Sequence, residues 1–193
     1  LLDLGTIPDF PIYRYDETVS CFVLLKAADR TSIIAELQRA REQKRRSVFV
    51  PHGALDSVTS FAAGNLEKLV HNRDMPPATR SRRVYAISRV LLTAAFSAEC
   101  DPEELERSSQ AVSEAISDLI DMGGDALRHV ILAQSHDPSI YTHSLNVCVL
   151  GTALVCHLDT RVPAHRRRQS AQGFLLHDIG KVDLSPEILL KPA

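Results

Sequence analysis

The 193-residue sequence has no Trp, only 5% aromatic residues and almost no net charge, with 22 Lys plus Arg against 24 Asp plus Glu. A balanced charge excludes a dedicated DNA- or RNA-binding face. The Arg clusters at Lys44-Arg45-Arg46, Arg82-Arg83 and Arg166-Arg167-Arg168 have no interleaved aromatics, and are expected to be solvated helix faces. No apolar run reaches the roughly 18 to 20 residues of a membrane span, so no membrane segment is expected. A C-x-x-C pair is also missing. Cys21, Cys100, Cys148 and Cys156 stand apart among apolar neighbours. They are expected to be reduced core residues of a cytoplasmic protein, with a disulfide or zinc site as the alternative. The chain begins at Leu1 rather than Met and shows no signal peptide, as expected of a fragment or trimmed chain.

What the sequence does have is 45% hydrophobic residues, enough for a packed core, arranged in two styles. Pro11 to Tyr15 and Cys21 to Lys26, separated by a polar turn, predict a hairpin. Thr31 or Ser32 can cap a helix carrying Ile33, Ile34, Leu37 and Ala40, and Ser47 to Val50 reads as a returning strand. This small α/β module, residues 1–72, has no phosphate-binding glycine loop and no carboxylate cluster. From Asp56 onward the pattern is helical. Helices are predicted near 56–70, 78–98, 102–122, 125–134, 140–158 and 164–178, punctuated by Pro76-Pro77, Asp101-Pro102, Gly123-Gly124, Asp137-Pro138 and Val162-Pro163. The stripes Val84, Ile87, Leu91, Ala95 and Leu105, Val112, Ile116, Leu119 fall in the connecting region 73–127. They serve either intrachain packing or pairing with a second chain as a homodimer.

The chemistry lies in residues 128–193. The helix from Ile140 is apolar on nearly every side and is expected to be buried all round, with His143 at the entry of a buried stripe through Val147, Leu150 and Leu154. In the next helix Ala171, Phe174 and Leu175 define an inward stripe that continues to Asp178, with His177 beside it. A carboxylate on a core face needs a cation, strong donors or a proton. A divalent metal meets that need, because neutral imidazoles and a carboxylate suit zinc, iron or manganese. Gly180 allows a sharp helix exit, and Lys181 adds a mobile cation, a combination suited to a phosphate ester.

The wording Tyr141-Thr-His-Ser-Leu-Asn-Val-Cys-Val-Leu, Phe174-Leu-Leu-His-Asp-Ile-Gly-Lys-Val and Ser185-Pro-Glu-Ile-Leu-Leu-Lys-Pro resembles the HD-GYP branch of the HD superfamily of metal-dependent phosphohydrolases. The resemblance covers about a third of the chain, near residues 128–193. It implies an α+β chain in which a regulatory module precedes a mainly helical HD-type domain. It also implies hydrolysis of cyclic di-GMP to the linear dinucleotide or GMP, by metal-activated hydroxide in bacterial signalling. His143, His177 and Asp178 become metal ligands. Asp178 and Lys181 are the catalytic candidates, and Lys181 contacts substrate phosphate. Iron or manganese is the implied metal, and Ser139, standing where members with three metals carry Glu, favours two ions. The His-His-Glu and Gly-Tyr-Pro elements are expected beyond Ala193, so the polypeptide as it stands is expected to be inactive alone. Two other readings stay open: a phosphohydrolase of another nucleotide, and a non-catalytic signalling module. His136 stands near the motif but off its stripe, and Asp183 and Glu187 follow it as candidate supporting groups or as solvated loop.

Overall fold

The computed structural model describes residues 8–16, 19–25, 49–97, 100–133 and 139–189. Two compact units divide the chain, Leu1–Phe61 and Ala62–Ala193. In the first, strands β1 (Tyr13–Asp16) and β2 (Cys21–Leu24) pair antiparallel, with Tyr13 opposite Leu24 and Tyr15 opposite Phe22. Phe49 continues the sheet as a single antiparallel bridge to Tyr13. Directly opposed residues share a sheet face, and here that face is aromatic: Tyr15 meets Phe22 with ring centroids 5.2 Å apart, and Phe22 meets Phe49 at 5.0 Å. The helix expected over residues 31–40, and Ser47 and Val48 of the returning strand, lie outside the described residues.

Helix α1 (Leu55–Val70) starts in the first unit and ends in the second. Then follow α2 (Pro77–Ala95), α3 (Pro102–Asp121), α4 (Gly124–Ala133), α5 (Ile140–Leu158), α6 (Ala164–Leu176) and a short α7 (Pro186–Leu189). Their ends follow local chemistry. Pro77 and Pro102 take first-turn positions, where the missing N–H costs nothing. The Asp101 carboxylate accepts from the Glu103 N–H at 3.1 Å, capping α3. Gly123, at φ +100°, supplies the left-handed residue between α3 and α4.

Within the second unit α2 packs on α3, α4 and α5, and α6 packs on α3 and α5. The predicted stripes of α2 and α3 do turn inward: Val84, Leu91, Val112, Ile116 and Leu119 are fully buried. Each such side chain contributes about 1.5–3 kcal/mol of burial. The stripe named for α5 does not turn inward. Val147 is half-buried, Leu150 and Leu154 are 49% and 55% exposed, and the buried line is Thr142, Leu145, Cys148, Val149 and Thr152. Nearly every position of this helix is apolar, so hydrophobicity alone sets no phase; the smaller side chains Thr142, Ser144 and Thr152 face the neighbours. The cysteines also divide. Cys148 is buried, with its thiol pushed up to about 12 by burial, Cys100 and Cys156 are half-buried, and Cys21 is exposed on β2; none of the four is in a disulfide. Among the described residues no helix is long and apolar enough to cross a membrane.

Candidate metal centre

Helices α5 and α6 form a hairpin across the short loop after Leu158, which brings the start of α5 to the end of α6. Ser139 precedes α5 and spends its hydroxyl on Thr142 Oγ1 at 2.8 Å. His143 follows on the first turn, exposed. At the far end of α6 the helical backbone stops at His177, and Asp178 opens a 3-10 segment, Ile179–Asp183, that carries Lys181.

These four residues meet around one oxygen. Asp178 Oδ2 lies 2.6 Å from Lys181 Nζ, 3.3 Å from His177 Nε2 and 3.5 Å from His143 Nε2. The two imidazoles stand 5.3 Å apart, centroid to centroid. Asp178 is half-buried, with 18% of its side chain exposed, rather than embedded in the core face. Its neighbours compensate it: the Lys181 hydrogen bond holds its carboxyl below the usual range, against a smaller opposing effect of burial, and the charges of His177, Lys181 and His143 add to the lowering.

His177 Nδ1 donates to the carbonyl of Phe174 at 2.8 Å, since a carbonyl can only accept. That bond fixes the tautomer and leaves Nε2 free to be a ligand, the arrangement in which a second partner orients a metal-binding histidine. His143, His177 and Asp178 each offer one ligand atom, all within 4.8 Å of one another. Donors bound about 2.1 Å from one ion lie roughly 3.0–3.5 Å apart in a tetrahedral or adjacent octahedral arrangement. The two imidazole-to-carboxylate separations match that spacing, and neutral imidazoles with a carboxylate are the donor types a divalent ion takes.

His136 lies outside the described residues, and Asp183 and Glu187 are exposed. The Arg166–Arg168 cluster is no mere solvated face: Arg167 pairs with Asp121, and Arg168 with Asp118 at 3.1 Å, pinning the start of α6 to the end of α3. Two features escaped the sequence. Tyr85 donates to Asn146 Oδ1 at 2.6 Å, tying α2 to α5. Gly151 faces the Phe174 ring so closely that a Cβ there would meet Cδ2 and Cε2 at 2.8 Å. A glycine inside an otherwise apolar helix, about 1 kcal/mol poorer than Ala, was the visible signal.

The motif residues that resemble the HD type, His143, His177 and Asp178, thus gather with Lys181 at one end of a helix hairpin. No family model matches the chain. It is 29% identical over 170 residues to the cyclic di-GMP phosphodiesterase PA4108 of Pseudomonas aeruginosa, covering 82% of this chain and 41% of that protein. Its fold is similar to that of Bd1817, described as an HDG"Y"P protein, from Bdellovibrio bacteriovorus, with a TM-score of 0.60 at 19% identity over 97% of this chain and 60% of the other. The resemblance to the HD-GYP branch read from the motif is therefore supported by both. The chain spans less than two thirds of the length of either relative.

Proposed function

We propose that the protein carrying this chain is a cyclic di-GMP phosphodiesterase, yielding the linear dinucleotide or GMP, with His143, His177 and Asp178 as metal ligands and Lys181 as the phosphate contact. The observation that carries this reading is the convergence of two imidazole nitrogens and one ammonium on Asp178 Oδ2. A divalent ion held there supplies Lewis acidity toward a phosphoryl oxygen and lowers the pKa of water. His177 keeps its Nε2 available through the Phe174 bond, and Asp178 contributes the negative charge that retains a cation. Lys181, exposed and on a flexible stem, can leave Asp178 for an anionic phosphodiester and neutralise charge there. Imidazole and carboxylate donors suit iron or manganese, and three of them serve one ion, so a pair of ions takes further donors from elsewhere in the protein. The amino-terminal residues 1–72 act as the regulatory module, 73–127 as the connecting helices, and the setting is the bacterial cytoplasm.

The test is metal analysis and nucleotide turnover on the protein that carries this chain, with Asp178→Ala beside it. Wild type is expected to retain iron or manganese, about two ions per chain, and to cleave cyclic di-GMP. The variant is expected to lose metal and turnover together, by at least about a hundredfold. Normal turnover in the folded variant would remove the assignment, and cleavage of other nucleotides in preference to cyclic di-GMP would move the substrate.

A further inference from the structure

We propose that Gly151 and Phe174 act as a positioning pair for the metal ligands: the Phe174 ring, seated on the bare Cα of Gly151, sets the spacing of α5 and α6 and so holds His143 against His177 and Asp178. The inference rests on the metal-ligand reading above. Neither residue touches the ligand atoms of His143 or Asp178; both act through the helices that carry them.

Three observations meet here. The contact is close enough that a methyl group has no room, since a Cβ on Gly151 would lie 2.8 Å from two ring carbons of Phe174 and 2.9 Å from Cγ. Those atoms include the base of the ring, so relief requires the ring to rotate away or the helices to separate. The residue that supplies the ring also supplies the carbonyl that accepts from His177 Nδ1 at 2.8 Å, so a shift at Phe174 moves the imidazole with it. The third is placement. Gly151 lies two turns after His143 on α5, and Phe174 lies one turn before Asp178 on α6. The contact therefore lies midway along the hairpin, two turns from His143, and a change in helix separation there is carried along α5 and α6 to the 3.5 Å and 3.3 Å ligand distances. Leu175 and Ala171, fully buried beside it, keep α6 from rolling to accommodate a larger residue.

The experiment is calorimetric titration of Mn2+ into the metal-stripped protein, for wild type, Gly151→Ala, Phe174→Leu and the double variant, each checked for folding by circular dichroism and thermal melting. Gly151→Ala is expected to weaken Mn2+ binding about tenfold, the scale on which supporting groups around a metal act. Phe174→Leu, which leaves a gap over Gly151, is expected to weaken it as well. The double variant, whose new methyl fills that gap, is expected to recover affinity, so the two changes are coupled rather than additive. Nitrogen NMR of His177 is expected to show the Nδ1-protonated form in wild type and a mixture in Gly151→Ala. A folded Gly151→Ala that binds Mn2+ as wild type does, or a double variant as weak as the worse single one, overturns the proposal. If Gly151→Ala does not fold, unchanged affinity in Phe174→Leu overturns it. If instead wild type binds no Mn2+, or His143→Ala leaves binding untouched, it is the metal reading that fails.

Discussion

The two ends of α6 carry the same kinds of charged group and use them differently. At its start Arg167 and Arg168 each take their own carboxylate, Asp121 and Asp118. At its end one carboxylate oxygen collects Lys181, His177 and His143. The first end divides its charges into pairs that fasten helices; the second concentrates donors on a single point. One-to-one pairing is what a fold needs for attachment, and convergence is what a bound cation needs.

The difference can be broken from either side. Arg167→Ala, at the more buried of the two arginines, is expected to cost about 2 kcal/mol of stability, since its side chain is 17% exposed and bonds both Asp121 and the Val162 carbonyl. Urea denaturation measures this, and Mn2+ affinity is expected to stay as in wild type; a fall in affinity would merge the two ends into one system. Arg168→Ala, at an exposed pair, is expected to cost less than about 1 kcal/mol and to lose even that in high salt. The smallest effect belongs to Lys181→Met in the acid limb. The Asp178 carboxyl is lowered in the folded chain, so its contribution is in place above the ordinary Asp value near pH 4 and is lost as pH falls through the lowered one. Removing the ammonium takes away the largest cause of the lowering. Urea midpoints of wild type and variant, compared at pH 7 and pH 3, are therefore expected to differ more at pH 7; an equal gap at both would sever the ion pair from the shift.

Much of this was legible in the residues. Proline and glycine marked helix ends because their backbone restrictions are local, which is why the bounds at Pro77, Pro102 and Gly124 fell within a residue or two of expectation. The meeting of His143 with His177-Asp178 was legible because each stands at the end of a helix in a short hairpin. Harder to see was the face of α5. Where almost every side chain is apolar, the inward side is chosen by which residues allow close approach, and that depends on the partner surface of α2, α3 and α6 rather than on α5 itself. Asp178 was expected on a core face because its position continued the stripe of Ala171 and Leu175, but the helix ends at His177 and the chain turns out of the repeat.

The bond from His177 Nδ1 to Phe174 O has one more consequence. The last carbonyls of a helix have no partner of their own, and here the His177 side chain supplies one of them. The imidazole proposed as a metal ligand is also the stitch that keeps the final turn wound. Fraying and release are thereby the same local event, so occupancy of the centre should be written in the proton-exchange rates of the α6 carboxyl-terminal amides, as a slowing confined to that turn.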